Sequence, residues 1–155
     1  MKAIYWIIAA LGLTLVLPAA ADAGQNDPEV IIYRFPGVRD DGGDDNVGVA
    51  TIFSCTNFSG AQEQVRLVTR SGSNFLVSNL AVLVPHLATV TFGTHHTSAY
   101  GGYTLNTNLI LGTTAIAATS INVICTAMTI DAANPKPDGV ALRGIRFNPI
   151  PGSQE

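Results

Sequence analysis

Beyond residue 23 the chain has no tryptophan, one lysine (Lys136) and two cysteines, Cys55 and Cys125. Charged residues make up 12% of the sequence and the formal net charge is -3, which offers nucleic acid no basic face and makes a polyanion an unexpected partner. No window after residue 23 shows a sustained 3.6-residue apolar stripe, so amphipathic helices are not expected. The GxSxG, Walker and dinucleotide fingerprints are missing, as is HExxH, and with them the sequence grounds for assigning those chemistries. Nor does any apolar run in this region approach the about 20 residues that a spanning helix needs.

What is present begins with the N-terminus, where Lys2 precedes "AIYWIIAALGLTLVL", then Pro18, then "AAADA" ending at Ala23. A charged start, a short apolar middle and a small-x-small end form the pattern of a signal peptide. Residues 1–23 are therefore expected to be removed, giving a mature chain that starts at Gly24 and works in the periplasm or outside the cell. No cysteine follows the expected cleavage site, so a lipid anchor has no attachment point. What remains is enough for one domain and too little for two. The expected organisation is a flexible segment at 24–29, a β domain at 30–148 and a tail at 149–155.

Apolar residues recur with period 2, and β-branched residues are frequent. Candidate strands are "VIIYRF" (30–35), "VGVATIFSCTN" (47–57), "QVRLVTR" (64–70), "NFLVSNLAVLV" (74–84) and "ATVTFGT" (88–94), followed by "GTTAIAAT" (112–119), "INVICTAMTID" (121–131) and "VALRGIRF" (140–147). Turn formers punctuate them as "NFSG", "SGSN", "PHL" and "NPKPDG". Short strands at such spacing predict an all-β sandwich of about seven or eight antiparallel strands.

Strand parity then places the cysteines. Val47, Val49, Thr51, Phe53 and Cys55 share one face of their strand, and Ile121, Val123, Cys125 and Ala127 share one face of theirs. Two cysteines on core-facing positions of an exported chain predict one inter-strand disulfide. A nucleophilic cysteine would need a nearby base, and no histidine lies close to Cys55 in sequence.

The spacing of the two cysteines resembles that of the inter-sheet bridge of immunoglobulin domains. Here, however, no tryptophan is available to pack on the bridge, and Val123 stands where that family places its corner tyrosine. The succession "SCTNFSG", "VRLVTRSGS", "HLATVTFGT" and "ATSINVICTAMTIDAANP" resembles a group of small exported bacterial β-sandwich proteins over most of residues 47–135. That resemblance implies an Ig-like sandwich and export. It implies no activity, ligand or site residue.

Two clusters carry the candidate chemistry. "RDDGGDDNVG" gathers Asp40, Asp41, Asp44, Asp45 and Asn46 around two glycines; hard oxygen donors of this kind suit Ca²⁺, while Asp, Asn and Gly equally build an ordinary acidic turn. No cofactor is expected, and Ca²⁺ is the one metal these residues would suit. The three histidines, His86, His95 and His96, fall within "PHLATVTFGTHHTSAYGGY", but neighbours on an extended strand face opposite ways and no zinc-ligand spacing is present. The long connection from His95 to Asn108 carries Tyr100 and Tyr103 among glycines. His95, His96, Tyr100 and Tyr103 form the candidate binding loop, where tyrosine supplies contact area, although the rings can also fold back over the core. "NFS" at Asn57 matches a glycosylation sequon that a bacterial chain is expected to leave unmodified.

The resulting expectation is a non-enzymatic, disulfide-stapled module that is structural, adhesive or binding, with a macromolecule or surface component as partner. The alternative is a small secreted hydrolase or metal-binding protein using loop His and Asp residues. Glu63, Asp131 and Asp138 lie far apart in sequence, but a glycosidase pair can assemble in space.

Overall fold

The computed structural model describes residues 29–42 and 45–147; the expected leader, residues 24–28, Asp44 and the expected tail lie outside them. The strands are β1 (Val30–Asp41), β2 (Val49–Asn57), β3 (Glu63–Ser71), β4 (Leu76–Val84), β5 (Thr89–Gly93), β6 (Tyr103–Thr104), β7 (Leu109–Ala118), β8 (Val123–Asp131), β9 (Val140–Ala141) and β10 (Ile145–Arg146). No helix occurs among the described residues. Every expected strand has a counterpart, with three differences. β1 runs on past Phe35 because register shifts at Pro36 and beyond re-aim it without ending it. The stretch 140–147 divides into two short bridges. β6 was not foreseen, and it pairs parallel with β5, whereas the other pairings among the described residues are antiparallel.

The strands form one hydrogen-bonded sheet in the order β4-β3-β7-β1-β2-β5-β6, with β8 on β2, β9 on β8 and β10 on β1. β1 makes the sheet curl by changing partners along its length. Its residues from Val30 onward pair with β7, while Asp40 and Asp41 also pair with Ala50 and Val49 of β2. The two halves of the sheet thus contribute to one main core, in which Phe35 from β1 meets Phe53 from β2 edge-to-face at 5.7 Å. The β1–β2 turn depends on Gly48: its φ is +69°, and a Cβ there would lie 1.9 Å from the Asp41 carbonyl oxygen.

β2 and β8 pair along their whole length, and Cys55 stands directly opposite Cys125 with Cα atoms 4.1 Å apart. The disulfide therefore joins neighbouring strands of one sheet, whereas the immunoglobulin bridge spans two sheets. Phe53, Cys55, Val123, Cys125 and Ala127 all face the core as their parity predicts. Val47 and Ile121, of the same parity, lie outside the strands and are exposed. Asn57 is wholly buried, and its Nδ2 donates to the carbonyls of Ala61 (2.7 Å) and Val84 (2.8 Å). The amide nitrogen of the "NFS" sequon is thus committed to closing the β2–β3 connection.

At the N-terminal end, Glu29 anchors β1 to β3. Its carboxylate accepts from Arg66 Nε at 2.7 Å and from Gln64 Nε2. Burial pushes the Glu29 carboxyl up, but the hydrogen bonds from Arg66 and Gln64 and the Arg66 charge more than offset this and hold it below its ordinary value.

Two predictions follow from these ties. The Cys55–Cys125 bridge closes a 70-residue separation, so Cys55→Ala/Cys125→Ala should lower unfolding stability by roughly 4 kcal/mol in the chain-entropy picture. Urea denaturation checks this, and native protein should resist thiol alkylation until reduced. The lowered Glu29 pKa gives a stability contribution that is complete above the unfolded value of 4.5 and is lost as pH falls through the lower folded value. The stability difference between wild type and Glu29→Gln should accordingly be flat above about pH 5 and shrink in more acidic solution.

Candidate functional site

The candidate loop leaves β5 at Gly93, crosses to β6 and enters β7. It begins with a polar seam closed inside the protein. Asp40 continues the inward parity of Val38, and its side chain has no exposed surface. One carboxylate oxygen accepts from His95 Nδ1, and the other accepts from Thr107 Oγ1 at 2.6 Å. Thr94 links this group to the neighbouring strands: its Oγ1 accepts from the Thr51 amide (3.0 Å) and donates to the Arg39 carbonyl (3.3 Å). Thr51 Oγ1 in turn bonds both backbone groups of Arg39 at 2.9 Å. A carboxylate taken out of water must be paired, and the imidazole and hydroxyl supply that pairing. His95 Nε2 is buried and meets no hydrogen-bond partner among the described residues.

The rest of the loop folds back over the outer side of β2 and β8. Ser98 N donates to the Ala132 carbonyl, and Tyr100 packs on a second cluster of Ala50, Ile52, Ile130 and Ala132. Tyr100 Oη lies 3.9 Å from Met128 Sδ. The return into β6 brings Gly102 so close to β5 that a Cβ would stand 2.3 Å from the Thr91 carbonyl oxygen. Tyr103 then leans on Phe92, ring centroids 5.8 Å apart, and stays 48% exposed. Of the four candidate binding residues, His96 and Tyr103 present substantial surface to solvent. His95 is a core group, and Tyr100 covers a core.

The acidic cluster is likewise dispersed. Asp40 is turned inward to His95; Asp41 reaches outward, 3.6 Å from Arg39. Asn46, at φ +59°, accepts from Ser98 Oγ (3.1 Å) and contacts His96 Nδ1 (3.3 Å), which docks the β1–β2 turn on the loop. Asp45 is exposed. Among the described residues no group of three or more His, Cys, Asp or Glu side chains is placed to hold a metal ion. His86 lies apart, accepting from the Gly60 amide at 3.0 Å.

Concavities also lie among the described residues. An open depression of about 540 Å³ brings Asp131 and Asp138 together with Arg39 at its lining, whereas Glu63 is buried elsewhere and accepts from Thr119 Oγ1. A smaller trough of about 200 Å³ runs over β7 between Arg34 and Arg70. Sequence reading missed the Asp40–His95 pair because the partners are 55 residues apart. Its one signal was the parity of Asp40 with Val38, visible once β1 is carried past Phe35. The arginine trough had no local signal. No family model, curated protein or solved structure matches the chain.

Removing either partner of the buried pair strands the other. Asp40→Ala and His95→Ala should each cost about 3–5 kcal/mol of stability. The double substitution should cost clearly less than the sum of the two. Additive losses in a urea-denaturation double-mutant cycle would show that the two groups are independent.

Proposed function

We propose that the chain is an exported, disulfide-stapled β module that acts by binding, in an adhesive or structural role at the cell envelope or outside it, without turning over a substrate. The observation that carries this reading is the destination of its chemistry-bearing side chains. Both cysteines form one buried bridge. Asp40, His95 and Thr107 are spent on one another. The two candidate residues that reach solvent on the loop, His96 and Tyr103, are suited to contact. A buried disulfide also accords with an oxidising compartment.

A small hydrolase is the second reading, and one observation favours it. The Asp40–His95 contact has the order of a carboxylate orienting an imidazole base. Its free nitrogen, Nε2, is however buried, so a substrate would have to open the seam to reach it.

The proposal is tested by expressing the full chain in a bacterial host. Fractionation should find it outside the cytoplasm, starting at Gly24 by N-terminal sequencing. Purified mature protein should be retained by intact bacterial cells, and His96→Ala/Tyr103→Ala should weaken retention several-fold with the melting temperature nearly unchanged. Cytoplasmic protein that keeps Met1 and an alkylatable Cys55 would refute export. Hydrolysis of a peptide, ester or glycoside that is lost in His95→Ala would establish the hydrolase instead.

A further inference from the structure

The outer face of β1, β7 and β3 assembles arginines that are remote in sequence. In register, Ala115 of β7 stands between Arg34 and Val68, Thr113 between Pro36 and Arg70, and Ala117 between Ile31 and Arg66. The β7 side chains that line the trough, Thr113, Ala115 and Ala117, are short, so this part of β7 is the floor and the longer side chains of β1 and β3 are the walls. Strands are spaced about 4.8 Å apart, which puts the walls about 10 Å from each other.

Charge on this face is one-sided. β4 and β7 contain no charged residue. Arg66 is neutralised by Glu29, but Arg34 and Arg70 have no carboxylate partner among the described residues. Both are exposed. Arg70 uses one N–H on the Asn74 carbonyl (3.1 Å), and Arg34 lies 5.8 Å from the Phe147 ring centroid, so each keeps N–H donors for a ligand. The exposed acids Asp131 and Asp138 belong to the other concavity. The chain as a whole is acidic, yet screening over about 8 Å at physiological salt lets the local cations decide what binds here. The net charge of -3, from which a polyanion is an unexpected partner, is an average over the whole chain and does not describe this face.

We propose that the trough binds an acidic polysaccharide, a linear glycan with carboxylates on its sugar rings. Arg34 and Arg70 each fork onto a carboxylate, a match of planar guanidinium to carboxylate that lysine does not provide. Ile31, Val68, Ala115 and Ala117 lie under the apolar faces of the rings, and the Thr113 hydroxyl serves the ring oxygens. A thin chain fits the recess between the two arginines; Phe75, Leu76, Ile110 and Leu111, exposed near its Arg70 end, would suit a lipid surface instead, which the vesicle arm of the test distinguishes. This inference rests on the binding-module reading and names its ligand class.

The test is titration of mature protein with polygalacturonate at low ionic strength, with neutral dextran and mixed phosphatidylglycerol–phosphatidylcholine vesicles in parallel. Polygalacturonate should bind, dextran should not, and added salt should weaken binding. Arg34→Gln and Arg70→Gln should each lower affinity about tenfold, as expected for a lost charge-assisted contact. Both should leave the melting temperature unchanged, and Arg39→Gln should bind as wild type. Equal binding by Arg34→Gln/Arg70→Gln, equal binding of dextran, or retention by anionic vesicles without binding of polygalacturonate would each overturn the proposal. If the double variant loses nothing but wild type is still retained by cells, the trough is wrong and the binding module stands. If wild type is held by neither cells nor polygalacturonate, both fall.

Discussion

A strand with both faces buried must be covered on each side and hydrogen-bonded along both edges, and β2 imposes this demand on the rest of the protein. Phe53 and Cys55 point into the main core, while Ala50 and Ile52 point the other way and are buried as completely. β8 pairs with one edge of β2 along its whole length, and β5 and the end of β1 share the other. The second face is closed by the connection after β5, which carries Tyr100 onto it. The disulfide fastens this same strand to β8, so the covalent tie and the most heavily buried backbone coincide.

Closing that second face has a chemical consequence. The end of β1 must meet the loop where β2 begins, and Asp40 arrives there with its side chain turned inward. A buried carboxylate is tolerable only with partners, and His95, Thr107 and the threonine seam provide them. The polar residues that looked most like reagents therefore hold the connection in place. Of the four candidate residues on the loop, His96 and Tyr103 are left with substantial surface in solvent.

The opposite half of the sheet has a simpler arrangement. Its outer face is a hydrogen-bonded surface of β1, β7 and β3 on which Thr113, Ala115 and Ala117 of β7 form a floor of short side chains. The proposed glycan site rests on this contrast between short side chains on the central strand and the long cationic side chains Arg34 and Arg70 on the flanking strands. The acidic groups lie mostly elsewhere, so a protein of net negative charge keeps a small cationic face.

Much of this protein was legible in its sequence because strand structure is written in a local, period-2 code. The eight candidate strands, the inward parity of Cys55 and Cys125 and their pairing could be read from neighbours one or two residues apart. The far end of β1 and the existence of β6 were not, since a bulge at Pro36 and a two-residue parallel bridge have no periodicity to detect. Tertiary structure alone decided that the bridge lies within one sheet, that His95 faces a buried Asp40 while His96 faces solvent, and that Arg34 and Arg70 flank the same strand. Those are relations between residues tens of positions apart, set by strand order and register. Local pattern specifies which way a side chain points, but only the sheet's order specifies what it meets there.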